Sequence, residues 1–170
     1  MNVFVADDYT AAAFKSWPTL GDGSCLLGYR VNYEADTAWV RLAMNTSGST
    51  SFSTTVDFGG VPVLIHFDDD SRVVGLAVGD ASLHLPPCAC VPGAMKTLTI
   101  EYSEELDILQ IRFSGDNPAG AMEGHRVYVL GDDPLGPALV VVREACGQVI
   151  AILVEGSQRL VHPSLLSAVS

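Results

Sequence analysis

His66 is the side chain of this sequence best placed to do chemistry. It interrupts an apolar run, Val63-Leu64-Ile65-His66-Phe67, and the matching run later in the chain, Leu139-Val140-Val141-Val142, carries Val142 at that position. A half-buried imidazole titrates near neutrality and can act as a general acid or base. No spacing places Glu101 or Tyr102 beside it, and a core histidine with its hydrogen bonds satisfied is the competing reading. Trp39 and Arg41 are the candidate binding pair. Along their strand Ala38, Val40 and Leu42 face one way and Thr37, Trp39 and Arg41 the other. A Trp next to an Arg on a polar face makes a platform for a partner, unless an N-terminal helix covers it. Arg112 occupies the place of Arg41 in the second half of the chain. Either guanidinium can hold a carboxylate with two parallel hydrogen bonds, and the competing reading is a cross-strand ion pair.

His84, Cys88 and Cys90 have soft-ligand chemistry but lack the second Cys or His pair that zinc requires, so no metal is expected. Asp68-Asp69-Asp70 lacks the Gly and the distal Glu of a calcium loop and reads as a solvated hairpin turn. The sequence holds no phosphate-binding loop, dinucleotide fingerprint, nucleophile elbow or zinc-protease helix, so no cofactor is expected.

The elements that must carry these residues come in two sets. Tyr33-Glu34-Ala35-Asp36-Thr37-Ala38-Trp39-Val40-Arg41-Leu42 returns as Tyr102-Ser103-Glu104-Glu105-Leu106-Asp107-Ile108-Leu109-Gln110-Ile111-Arg112-Phe113. Arg72-Val73-Val74-Gly75-Leu76-Ala77-Val78 returns as Gln148-Val149-Ile150-Ala151-Ile152-Leu153-Val154. Such self-similarity fixes architecture before any local assignment. Each repeat reads as two hairpins rich in β-branched and aromatic residues. The first has strands over 26–33 and 37–42, then 61–67 and 72–78. The second has strands over 97–102 and 108–113, then 138–142 and 148–154. An additional strand precedes each second hairpin, over 52–58 and 125–130, and a short helical turn follows it, over 81–85 and 157–161. Asp36 and Asp107 read as turn residues that bond their own backbone.

The expected organisation is an N-terminal extension with a helix (residues 1–22), repeat 1 (23–86), a Pro/Cys linker (87–95), repeat 2 (96–162) and a C-terminal helix (163–170). One repeat alone is marginal in size, so the two are expected to pack as one compact domain. The fold class expected is mainly β with short helices, two two-hairpin units packed as a pseudo-twofold sandwich. The polar loops 45–51 and 114–120 occupy the same place in each repeat and can rim a site.

A Tyr, a short acidic turn ending in Asp, an alternating strand closing on Val-Arg-Leu or Ile-Arg-Phe, and a hairpin ending in Val-Val-Gly-Leu-type residues resemble the family catalogued as domain of unknown function 2283. The resemblance runs over residues 29–85 and again over 95–160, which reads as a tandem duplication. It implies a small β-rich bacterial module with no assigned catalytic residues. Since some members are encoded beside toxins, it also implies an antitoxin- or immunity-like role.

Composition narrows the function classes. The formal net charge is -11, from 20 acidic against 9 basic residues, so phosphate backbones and anionic membranes are repelled and nucleic acid is not an expected partner. Hydrophobic residues make up 48% and charged residues 17%, with a mean hydropathy of +0.30. That surplus implies strands buried on both faces or an oligomeric contact such as a homodimer. No run approaches the roughly 20 apolar residues of a membrane helix. The acidic start and four thiols are read as cytoplasmic. Two functions follow as expectations. One is a non-catalytic regulatory protein that binds a protein partner through Trp39, Arg41 and loop 45–51, on an exposed apolar patch. The other is a cofactor-independent cyclase or isomerase that uses His66 on an apolar metabolite or peptide, in a cavity between the sheets.

Overall fold

The structure, a computed structural model, describes residues 19–20, 25–32, 34–44, 52–90, 99–113, 122–129, 136–144 and 147–169. The first sheet is built from β1 (Thr19–Leu20), β2 (Cys25–Asn32), β3 (Thr37–Met44), β4 (Phe52–Asp57), β5 (Pro62–Phe67) and β6 (Val73–Val78). A short helix α1 (Ala81–His84) and a 3-10 turn (Pro87–Ala89) follow. The second sheet takes β7 (Thr99–Ser103), β8 (Ile108–Arg112), β9 (Met122–Tyr128), β10 (Ala138–Glu144) and β11 (Val149–Glu155). Two helices, α2 (Ser157–Leu160) and α3 (Pro163–Val169), come last. The molecule is thus mainly β, with two antiparallel sheets and a few short helices.

Strand order is β1-β2-β3-β6-β5-β4 in the first sheet and β7-β8-β11-β10-β9 in the second. When β2 is matched to β7 and β6 to β11, the two orders coincide apart from the added β1. In each sheet the first hairpin joins the second through the long partner strands: Val40 pairs with Leu76, and Ile111 with Ile152. The strand expected before each second hairpin is present and forms the outer edge of its sheet.

Alternation sets the layers. Val63, Ile65 and Phe67 on β5 are buried while Pro62, Leu64 and His66 are only partly so. One continuous core takes Ala38, Val40, Leu42, Ile65 and Leu76 from the first sheet and Leu109, Ile111, Leu139, Val141 and Ile152 from the second. Each such side chain contributes about 1.5–3 kcal/mol on burial. Helix α3 adds Leu165 and Leu166 to that core and packs against β2, β3 and β7, which caps one side of the sandwich.

In each sheet one aspartate fastens the first hairpin to the short helix that follows the sheet. Asp36 and Asp107 both sit in the left-handed region, at φ 50° and 52°, where Asp is tolerated better than most residues. Their side chains are not spent on their own turns, as the sequence reading had it. Asp36 Oδ1 accepts from the Ser82 N–H at 2.9 Å and Oδ2 from the Ser82 hydroxyl at 2.6 Å. Asp107 Oδ1 accepts from the Gln158 N–H at 3.0 Å and the Tyr102 hydroxyl at 2.9 Å. Their carbonyls accept as well, from Ala81 N–H at 2.8 Å and from Gly156 N–H at 3.0 Å. The helical turn leaves N–H groups without partners inside it, and the hairpin supplies the acceptors. Asp68 does follow the expected turn chemistry, accepting from the N–H groups of Asp70 and Arg72, both at 2.9 Å.

Other differences are local. The two-residue β1 was not expected. Strand β9 starts at Met122, three residues before its expected start at 125. The linker at 87–95 begins as a 3-10 turn because Pro suits a first helical position, and its remainder past residue 90 lies outside the described residues. So do the N-terminal extension, apart from residues 19–20, with its expected helix, and the loops 45–51 and 114–120.

Asp107→Ala is expected to lower the unfolding free energy by about 1–2 kcal/mol, because it removes a cap and an αL-tolerant residue together. Asp107→Asn, which keeps an acceptor at the same atom, should lose clearly less. Chemical denaturation of the two variants beside the parent decides this, and equal losses would contradict the clamp.

Candidate functional site

The outer face of the first sheet carries three of the residues singled out from the sequence. In the register Trp39 lies opposite Ala77, Arg41 opposite Gly75, and His66 opposite Gly75 from the other flank. Strand β6 thus sets Gly75 and Ala77 beneath these side chains. That leaves room for the two rings to meet above it: Trp39 and His66 stack with centroids 5.0 Å apart and planes inclined by 22°. His66 Nδ1 lies 2.7 Å from Ser53 Oγ, its cross-strand neighbour on β4. Its Nε2 is buried and makes no hydrogen bond among the described residues. Burial pushes the imidazole below its ordinary value near 6.5, so the neutral form is favoured.

This arrangement corrects two expectations. The exposed patch expected around Trp39 and Arg41 is not there: Trp39 is 8% and Arg41 2% exposed. The stacked His66 ring is one cause, since it takes up the indole face that a partner would use. His66 also does not point between the sheets. Its neighbours Ile65 and Phe67 fill the core, and period-two alternation sends His66 to the opposite face.

Arg112 lies on the outer face of the second sheet, paired with Thr99 and Ala151 and partly buried. The outer faces of a sandwich point away from each other. Arg112 is therefore not brought together with Trp39 and Arg41. Gln110 stands where Trp39 stands in the first sheet, and the surface there is open. A groove of about 300 Å³ lies between β7, β8 and β11, lined by Glu101, Leu106, Ile108, Gln110 and Leu153. Leu106 on its rim is 67% exposed.

The side of the sandwich away from α3 holds what the sequence reading missed. There, among the described residues, β4 and β9 are the edge strands of their sheets. Among the described residues, a hydrogen bond and a ring contact bridge the sheets at this side. The Arg143 Nη1 donates to the Gly59 carbonyl at 2.7 Å, and the His125 ring meets the Phe58 ring edge-on at 6.1 Å. Strand β9 is exposed at every residue but Val127, which is partly buried. Met122 is 58% and Tyr128 38% exposed, two of the four large exposed hydrophobics among the described residues. At the Tyr128 end, Arg126 holds Glu155 through Nε at 2.6 Å and Nη2 at 3.1 Å. Arg126, Tyr128, Pro137, Glu155 and Arg159 line an open groove of about 450 Å³ beside that pair. The signal in the sequence was faint, since Glu123 and Gly124 have low strand propensity.

The two cysteines weighed as ligands are spent on backbone. Cys90 Sγ lies 3.5 Å from the Ala81 carbonyl and Cys88 Sγ 3.9 Å from that of Phe113. Burial, followed by the nearby Asp36 and Cys88 charges, pushes the Cys90 thiol up and so disfavours its thiolate. Among the described residues no three of His, Cys, Asp and Glu converge as a metal site would need. Nor, among them, is any helix long and apolar enough to cross a membrane.

Comparison of the chain with protein-family models, curated proteins and solved structures gives no match.

The depressed His66 has a signed consequence. Its folded value lies below its unfolded value, so its contribution is fully present above about pH 6.5 and is lost as pH falls toward the folded value. Between pH 7 and pH 5 the parent should therefore lose more stability than His66→Gln. The imidazole C–H signals of His66 should shift with a midpoint below about 6.5. Proton NMR titration, together with unfolding midpoints of both proteins across that range, checks the pair of statements. Parallel pH profiles for parent and variant would refute them.

Proposed function

We propose that this protein is a non-catalytic binding protein that recognises a polypeptide partner through the open side of its sandwich, with β9 as the docking strand. The observation that carries this reading is the exposure of β9 along nearly its whole length, on the last position of its sheet. An edge strand offers a row of backbone donors and acceptors to any extended chain laid beside it, with side chains on alternate positions setting the choice of partner. The adjoining groove adds the Arg126, Tyr128 and Arg159 side chains as polar anchors. Trp39 and Arg41, the pair first assigned to binding, serve the reading only as supports beneath His66 and Ser53.

The wider setting belongs to the same proposal. The matching strand orders of the two sheets support a tandem duplication of one module, and the resemblance to domain of unknown function 2283 supports a bacterial, cytoplasmic, regulatory protein of antitoxin or immunity type. Cofactor-free catalysis gains less support. The Ser53–His66 contact is a neighbouring pair across two strands, and neither of the two grooves described touches His66.

A native mass spectrum of the protein purified gently from its source should show the added mass of a polypeptide. The same polypeptide should slow amide hydrogen exchange in β9 more than in β7 or β8. An added mass on the order of a few hundred daltons would point to a small-molecule site instead, and protection confined to another strand would refute the placement.

A further inference from the structure

Two edge strands face the open side, and only one is built for pairing. Strand β4 shows Ser53, Thr54, Thr55 and Asp57 to solvent, all polar. Strand β9 carries Met122, Val127 and Tyr128 and has no proline. Its pairing with β10 runs without a break from Met122↔Glu144 to Tyr128↔Ala138. Bulges interrupt β5–β6 at His66/Phe67 and β10–β11 at Val142/Arg143, but none touches β9. Bulges, prolines, short length and charged side chains are the usual devices that keep an edge from pairing; neither β4 nor β9 has a proline or a bulge to its neighbour, and what sets β9 apart among the described side chains is exposed Met122 and Tyr128 beside the charges of Glu123 and Arg126.

The order of side chains on β9 is self-complementary. A symmetric antiparallel pair keeps each residue opposite one of the same face, so its centre must fall on a residue. Centred on His125, all of β9 pairs with all of its copy. Met122 then stands opposite Tyr128, and this happens twice. Centred on Gly124, the pairing shortens and sets Met122 opposite Arg126; centred on Arg126, it sets Tyr128 opposite Gly124. Only the His125 register covers both exposed apolar side chains with each other. On the same face Gly124 lies opposite Arg126, so the Arg126–Glu155 ion pair meets no Cβ. On the other face Glu123 lies diagonally beside His125 of the second copy, within reach of a hydrogen bond between carboxylate and imidazole.

Long-range charge agrees. In a chain of net charge -11, three of the 9 basic residues, Arg126, Arg143 and Arg159, lie on or next to β9 and balance Glu123, Glu144 and Glu155 there, so this edge is locally neutral. Two acidic copies repel each other least where their bases gather.

Resting on the docking reading above, we propose that the occupant of the β9 edge is a second copy of this chain, paired β9 to β9 about a twofold axis at His125. The two five-stranded sheets become one continuous sheet. A single strand pair lies at the low end of specific interfaces, below roughly 1,200 Å², so dissociation is expected on the order of micromolar concentrations.

Sedimentation velocity of the full chain over a micromolar concentration series tests this. The mass should rise from 18.0 kDa toward twice that value. Met122→Lys and Tyr128→Glu should each weaken the dimer about tenfold or more. An equimolar mixture of the two variants should restore it, because each mixed pair sets an ammonium against a carboxylate and keeps one Met122–Tyr128 contact. Restoration also shows that both variants are folded. A mass that stays at 18.0 kDa overturns the proposal, as does a dimer that both variants leave intact or that the mixture fails to restore. If the chain stays monomeric while another polypeptide slows exchange in β9, the docking reading stands and only the self-pairing falls. If no polypeptide alters exchange in β9, both fall.

Discussion

Two apolar sheet faces must cover each other, and the other features of the molecule follow from how they do so. The core joins side chains from both sheets in a single cluster. Neither sheet has a second layer of its own to bury that face, and a module of some 60 residues would be marginal alone. At about 1.5–3 kcal/mol for each buried aliphatic side chain, against roughly 1 kcal/mol for a typical hydrogen bond, packing sets the architecture and polar contacts refine it. The aspartate clamps are refinements of this kind. They fix where each hairpin meets its short helix, and Ser157 adds a third, with its hydroxyl accepting from the Leu109 N–H at 2.9 Å and donating to the Val154 carbonyl. The first sheet has Ala81 at the matching place, so the clamp works without that hydroxyl there.

With the inner faces committed to the core, differences between the units accumulate on the outer faces. The first sheet fills its outer face with aromatic stacking, which Gly75 and Ala77 make room for. The second has Ala151 and Leu153 on the matching strand, with Gln110 and Val142 in place of Trp39 and His66. No pair of rings meets there, and an apolar groove stays open. One backbone plan therefore carries a closed face and an open one, decided by two or three side chains. The charged residue shared by both, Arg41 and Arg112, is fully buried in one sheet and half-buried in the other. Recurrence of a residue in a repeat marks its place in the scaffold and not its exposure.

The layers were legible in the sequence because alternation reports facing directly. The runs around Val40, Ile65, Ile111 and Ile152 place their core residues correctly. Both hairpins of each unit, and the extra strand before the second, were also readable from β-branched residues and turn signals. Strand order between hairpins was not, because nothing local to β3 or β6 announces that they pair. The site was less legible for a related reason. That Trp39 faces outward follows from period two, but that it is buried depends on β5 and β6 as its neighbours. The partners of Asp36 and Asp107 lie 46 and 51 residues further along the chain, beyond any turn rule. Strand β9 was placed late because Met122, Glu123 and Gly124 carry no strand signal, and its pairing with β10 is what holds them extended.

The two sides of the sandwich differ in a way that the core alone does not require. At one side α3 lies across β2, β3 and β7 and contributes Leu165 and Leu166 to the interior, so those strands are covered as well as paired. At the other side a ring contact and one hydrogen bond, Phe58 with His125 and Arg143 with Gly59, hold the sheets together. Gly59 suits this close approach: it sits at φ +65°, and a Cβ there would come within 3.3 Å of His125 Nδ1. The turn is thus shaped to let β9 and the β4–β5 corner touch without covering β9. A strand that had only to finish its sheet would be more stable with its apolar side chains turned inward. Met122 and Tyr128 share the outer face with Arg126, where the fold gains nothing from them. Apolar residues that the fold does not bury, on an edge strand with no bulge or proline, would be covered by the contact with another strand proposed above.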